Sequence, residues 1–362
     1  MQPFRLDVPS DVLDDLHRRL AATLLPLQTP GDDWSRGIPP HVLGELLTHW
    51  RERYDWRARE AALNGYEQFT VDLDGCRVHV LWRRGSAPGR LPVVLTHGWP
   101  YTFAEMLPTL DAIDGELDVV VPSLPGYAYS EVLPVPFAAS AVAHRWQALM
   151  TEVLGYDRYL TYGEDVGAGV SDWLAGAYPQ SVAGIVASHP SFSARSQEGV
   201  TLTDEEEAFY ASLQGPAESG YAHQQGTRPD TLAAALTDSP AGLLAWIGEK
   251  FAAWSDGDRL ERVNSDDLIT TTMLYWVTRS IGTSFRAYCD PSDGDEHPLI
   301  TVPASIIVQT HEAGYPRSLA EKSYLDIRAF TRLTRGGHFT AFEAPGEVAD
   351  AILTLERQAN PL

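Results

Sequence analysis

The sequence predicts an α/β fold in which a mostly parallel central sheet carries an inserted block of helices and follows a helical extension. Three observations lead there. Between residues 92 and 188, short, continuously apolar runs alternate with helix-like stretches, the pattern of parallel strands buried on both faces. From Pro190 to about Pro298 the alternation gives way to acidic and helical segments without a clear strand, and it resumes at Ala304. Finally, an apolar strand meets a helix at Tyr-Gly-Glu-Asp-Val-Gly (162–167), a glycine-flanked turn that holds Asp165 exposed at the sheet edge.

The chain divides accordingly into an N-terminal helical extension (1–66), a first core segment (67–190), a helical lid (191–298) and a second core segment (299–362). In the extension, Ser10 is read as the cap of a helix reaching about Leu20, and a second helix begins near Pro40. The texture then changes. Residues 69–73 and 77–82 around Asp74-Gly75 read as a hairpin. Next come a strand at 92–96, a helix from Thr102, a strand at 118–122, a helix over about 137–154, a strand at 159–162, the helix 166–177 and a strand at 182–188. Beyond the insertion lie strands at 304–309 and 329–334 and a closing helix over about 339–357.

Composition narrows the function classes. With 27 Lys+Arg against 49 Asp+Glu the formal charge is −22, which repels nucleic acid and anionic membrane surfaces. Cys76 and Cys289 fit neither a disulfide framework nor a metal spacing, and the eleven histidines are scattered. No metal, cofactor or glycine-rich nucleotide loop is expected. The N-terminus has no apolar signal core and no run approaches the roughly 18 apolar residues of a spanning helix, so a cytoplasmic location is expected.

The usual nucleophile of such an elbow is serine; here it is Asp165. A carboxylate attacking a saturated carbon leaves an alkyl ester that water can later cleave, which suggests displacement at an epoxide or carbon–halogen bond. His338, in Arg-Gly-Gly-His-Phe (335–339) between the last strand and the last helix, has the chain position of a general base. Its carboxylate partner should follow the preceding strand; Glu312 meets that requirement, ahead of Glu321 and Asp326, whose setting reads as helical. Two backbone N–H donors are expected, Trp99 of His97-Gly98-Trp99-Pro100 and Val166. Tyrosine suits protonation of an opening epoxide oxygen, but position alone does not choose among 15 tyrosines.

Beyond the elbow, the chain carries Pro3-Phe4-Arg5, Asp55-Trp56-Arg57, His97-Gly98-Trp99-Pro100, Ser123-Leu124-Pro125-Gly126, Thr227-Arg228-Pro229, Leu243-Leu244-Ala245-Trp246 and Gly336-Gly337-His338-Phe339. Together they resemble an epoxide hydrolase of the α/β-hydrolase superfamily, in the branch with an N-terminal extension that includes microsomal and fungal enzymes. The resemblance covers nearly the whole chain. It implies the α/β-hydrolase fold, conversion of an epoxide and water to a vicinal diol, no cofactor, and a small-molecule epoxide as partner; a homodimer stays open. It matches Asp165 to the nucleophile, His338 to the base, and Tyr221 and Tyr288 to two lid tyrosines that hold the epoxide oxygen.

Four features depart from that family. Gln309-Thr310-His311-Glu312 replaces the usual Phe-Pro-x-acid, Val166 a common tryptophan, Tyr101 a common glycine, and Tyr127 and Tyr129 common phenylalanines. Trp99, Pro100, Tyr101 and Tyr127 are expected to contact substrate, and the added hydroxyls hint at a particular, polar substrate and lean toward biosynthesis over detoxification. A haloalkane dehalogenase would share the aspartate elbow but needs halide-binding N–H donors, commonly a tryptophan at 166. A serine esterase would need serine at 165. A degenerate hydrolase acting as a binding protein is the non-enzymatic alternative.

Overall fold

Nine strands, β1 (Gln2–Pro3), β2 (Gln68–Leu73), β3 (Cys76–Arg83), β4 (Val93–Thr96), β5 (Val119–Pro122), β6 (Tyr159–Gly163), β7 (Val182–Ala187), β8 (Ile300–Val308) and β9 (Tyr324–Arg332), make one sheet. Its order is β1-β2-β3-β5-β4-β6-β7-β8-β9. The first three pairings are antiparallel and all those from β5 to β9 parallel. The computed structural model describes residues 1–27, 34–195, 199–213, 219–291 and 297–360.

The central strands β4, β5, β6 and β7 are buried along their whole length, as expected of apolar runs covered by helices on both faces. The β2–β3 hairpin turns at Asp74 and Gly75, both at positive φ (51° and 72°), the geometry of a tight primed turn. β9 begins five residues earlier than the apolar pattern suggested. It is an edge strand pairing only with β8, so exposed Asp326 and Arg328 are tolerated on it. Asp326 is therefore on a strand, not a helix, and pairs with Arg328.

In the extension, helices span Ser10–Ala21, Pro40–Glu52 and Trp56–Leu63. Ser10 is not the cap of the first, which follows Pro9 and has no side-chain cap; Asp55 caps the third by accepting the Ala58 N–H at 3.1 Å. The leading segment is pinned down: the Leu6 N–H donates to Asn64 Oδ1 and the Val8 N–H to Glu60 Oε1. Among the described residues of 191–298 there are helices and no strand, including Gly220–Thr227, Pro240–Trp254 and Arg286–Cys289. These three bring Tyr221, Trp254 and Tyr288 over the carboxyl ends of the parallel strands, where ligand sites of such sheets lie.

Candidate active site

Asp165 lies between β6 and the helix Val166–Ala177 with φ 51° and ψ −120°, a conformation that costs a non-glycine residue about 1–3 kcal/mol and persists only when the surroundings enforce it. The enforcement is steric. A Cβ at Gly163 would stand 2.0 Å from the Gly167 carbonyl oxygen, so strand and helix can cross this closely only at glycine. Across the turn, a Cβ at Gly98 would stand 2.5 Å from the Asp165 Cβ, so only glycine there lets the loop after β4 lie directly against Asp165.

That loop brings the Trp99 N–H to Asp165 Oδ1 at 2.9 Å, and the Val166 N–H also bonds the carboxylate. Burial pushes the Asp165 carboxyl up, while the Trp99 and Val166 amides oppose it by favouring the anion. The other oxygen, Oδ2, is 3.6 Å from His338 Nε2, and that nitrogen has no hydrogen-bond partner. His338 is held by its backbone: its N–H donates to the Trp254 carbonyl at 2.9 Å, and its carbonyl accepts from His189 Nε2 at 2.8 Å. Burial, and then repulsion from His311, lower its imidazole to about 3, so it is neutral near pH 7.

Glu312 follows β8 and lines the same two cavities as His338, one of about 390 Å³ that also exposes Asp165 and one of about 380 Å³ that also exposes Tyr221. Among the described residues no hydrogen bond or ion pair joins Glu312 to His338, and Glu312 Oε2 has no partner. Burial, and next the charge of Asp165, raise its carboxyl to about 8. The two lid tyrosines come together. Tyr221 stacks on Trp99 with ring centroids 5.3 Å apart, and the Tyr221 and Tyr288 hydroxyls are hydrogen-bonded to each other. The Tyr288 hydroxyl is raised well above its ordinary range by burial, and the charge of Asp165 adds to the rise, so it keeps its proton.

Trp99, Pro100, Tyr101 and Tyr127 are buried and are not among the residues lining either cavity. Tyr127 donates to the Ser284 carbonyl at 3.2 Å; Tyr101 packs edge-on against His338 at 6.0 Å, and its hydroxyl faces the buried Glu164 carboxyl.

Two participants were not singled out in the sequence. His189, just past β7, accepts the Asp165 N–H at Nδ1 (3.2 Å) and donates from Nε2 to the His338 carbonyl, so one neutral imidazole ties Asp165 to His338. Its position after a parallel strand was the available signal. Glu164, inside the elbow, is fully buried; its Oε1 accepts from the Tyr162 hydroxyl and from the Ala341 N–H at 2.5 Å. Only the structure shows that it links the elbow to the helix Thr340–Glu343 after His338.

This fold and site define a hydrolase of the α/β class whose elbow presents aspartate in place of serine. Residues 1–106 match the family described as "Epoxide hydrolase N terminus", and residues 92–276 match "alpha/beta hydrolase fold". A Stigmatella aurantiaca protein bearing the epoxide hydrolase name is 35% identical over 98% of this chain and 84% of its own length. The crystal structure of juvenile hormone epoxide hydrolase from Bombyx mori superposes with a TM-score of 0.87 at 28% identity, over 100% of this chain and 94% of that one. Aspergillus niger epoxide hydrolase gives 0.85 at 26% identity, over 99% and 96%. The chain belongs to the epoxide hydrolase family and is a hydrolase. Among the described residues no helix is long and apolar enough to cross a membrane.

Proposed function

We propose that the protein adds water to an epoxide through a covalent ester on Asp165. The observation that carries the reading is the split environment of its carboxylate: Oδ1 is held by the Trp99 N–H at 2.9 Å, while Oδ2 lies 3.6 Å from the unpartnered His338 Nε2. Oδ2 attacks an epoxide carbon, the C–O bond of the ring breaks, and Tyr221 or Tyr288 gives a proton to the departing alkoxide. Water then attacks the ester carbonyl as His338 takes its proton, and the oxyanion develops at the atom the Trp99 and Val166 amides already hold. Collapse breaks the ester C–O bond, the leaving alkoxide takes the proton held by His338 to give the diol, and the carboxyl proton passes back to the tyrosinate, which returns the carboxylate and the tyrosine.

Glu312 fits the second step electrostatically. The Asp165 charge that helps hold its carboxyl near 8 disappears when Asp165 is esterified, so ionisation of Glu312 becomes easier when an imidazolium forms at His338. The pair of tyrosines and the absence of tryptophan at 166 favour an epoxide over a haloalkane. The names borne by the relatives support the same substrate class.

The test is mass spectrometry of His338→Gln protein after exposure to a panel of aryl and alkyl epoxides. Loss of the base should stall the ester, leaving an adduct of full epoxide mass on the Asp165 peptide. An alkyl adduct from a haloalkane with none from any epoxide would overturn the proposal in favour of a dehalogenase, and diol formation by Asp165→Asn protein would overturn the ester itself.

A further inference from the structure

Tyr288 sits on a helix of a single turn, Arg286–Cys289, too short to hold its own shape in water. Its surroundings must therefore fix the direction in which the hydroxyl points. The turn before it, Ile281–Ser284, is tied to the core: Thr283 Oγ donates to the Gly126 carbonyl at 2.5 Å, and the Ser284 carbonyl accepts from Tyr127. Tyr288 lies beyond that anchor, and the residues two before and two after it, Arg286 and Asp290, supply the next one.

Arg286 spreads its guanidinium over a loop of the core. Nη1 donates to the Leu133 carbonyl and Nη2 to the Val135 carbonyl, each at 2.7 Å, while Nε donates to Asp290 Oδ2 at 2.8 Å. The same Asp290 oxygen accepts the Phe137 N–H at 2.8 Å. An ion pair four residues apart on a helix usually contributes little. This pair differs because both members reach away from their own helix to the backbone of residues 133–137, and arginine suits the task because its planar fork offers donors in several fixed directions. The clamp spans the rim of the cavity that exposes Asp165, which Phe137 lines from the core and Ala287 from the lid. On the other flank, a Cβ at Gly226 would stand 3.3 Å from the Tyr288 carbonyl oxygen, so the helix Gly220–Thr227, which carries Tyr221, packs tightly against the same turn. Held between the two, the Tyr288 ring stands edge-on to Trp99 at 5.7 Å and to Tyr221 at 5.8 Å.

We infer that Arg286 and Asp290 are positioning residues that hold the Tyr288 hydroxyl against the opening epoxide, and so serve ester formation and not ester cleavage. The inference rests on the reading that Asp165 forms the ester and Tyr288 donates to the epoxide oxygen. Proton donation requires hydrogen-bond reach, and a displacement of about 1 Å can cost about a hundredfold in rate. Cleavage of the ester uses His338 and water and makes no such demand on Tyr288.

The test is rapid-quench mass spectrometry of the rise and decay of the adduct on the Asp165 peptide, with whichever aryl or alkyl epoxide gives the most adduct in the His338→Gln protein. Arg286→Met, which removes the donors, should slow the rise about tenfold and change the decay by less than about twofold. In the Tyr288→Phe background the same substitution should slow the rise by less than about twofold further, because the hydroxyl it positions is gone. Arg286→Lys, which keeps the ion pair with Asp290 but not the fork over two carbonyls, is the second variant should the first not fold, and should give the same pattern at smaller amplitude. An unchanged rise in both variants, an equal loss with and without the Tyr288 hydroxyl, or a decay slowed in step with the rise would overturn the inference. A wild-type rise in the Tyr288→Phe protein would remove Tyr288 from the mechanism, and the inference with it, while the Asp165 ester stands; no adduct with any epoxide would overturn the reading of Asp165 itself.

Discussion

Replacing Glu164 by glutamine should make the protein more resistant to alkali, and the size of the effect follows from the burial of this one carboxyl. Glu164 is fully buried beside Asp165, and burial raises its carboxyl from 4.5 to about 8, although bonds from Tyr162, the Ala341 N–H and Tyr101 oppose the rise. The native state therefore binds this proton more tightly than the unfolded chain. The associated stability is complete below 4.5, declines as pH rises toward 8, and is constant beyond. Each pH unit in that window is worth about 1.4 kcal/mol, or about 5 kcal/mol across the whole of it. Glutamine is nearly isosteric, keeps an acceptor for the Ala341 N–H, and presents an amide toward the Tyr101 hydroxyl that Glu164 faces. The assay is urea unfolding of both proteins at several pH values between 5 and 9. Glu105 and Glu312, also raised by burial, are common to both and cancel in the difference. The variant should gain on the wild type by about 2–3 kcal/mol between pH 6 and 8, independent of any constant offset. A difference that stays flat with pH would refute the reasoning, because Glu164 would then be titrating as it does in the unfolded chain.

Tyr288→Phe and Tyr221→Phe should each lower kcat/KM for an epoxide by about 10–100-fold, and the double variant by more than about 1,000-fold, since either hydroxyl can supply part of the proton donation; full activity in the double variant would remove both from the mechanism. Gly98→Ala would drive a Cβ to 2.5 Å from the Asp165 Cβ and 2.8 Å from the Glu164 carbonyl oxygen. It should cost about 1–3 kcal/mol in unfolding free energy and most of the turnover, and unfolding and steady-state rates check the two separately. Glu312→Gln should slow ester hydrolysis by about a hundredfold or more while leaving ester formation largely intact, so that the Asp165 adduct accumulates in rapid-quench mass spectrometry. An unchanged kcat would give the partner role to another group.

How far the site was legible in the sequence depended on the distance over which each feature is encoded. The elbow is local: Gly163, Asp165 and Gly167 lie within five residues, and the crossing of strand over helix leaves no room for a Cβ. The hairpin at Asp74-Gly75 and the continuously apolar β4 to β7 were legible for the same reason. β1 and the early start of β9 were not, because an edge strand meets a neighbour on one side only and is free of the apolar pattern that marks a buried one.

The chain alone therefore determined which residue types could do the chemistry and the order in which they appear, since turns and periodicity are set by neighbouring residues. Tertiary structure decided what they touch. Trp99 reaches Asp165 across 66 residues because β4 lies beside β6 in the sheet, and Tyr221 meets Tyr288 because separate helices close over one strand edge. His189 and Glu164 gain their meaning in the same way. Side chains remote in sequence acquire a common environment only once the sheet order and the packing of helices on it have fixed their distances.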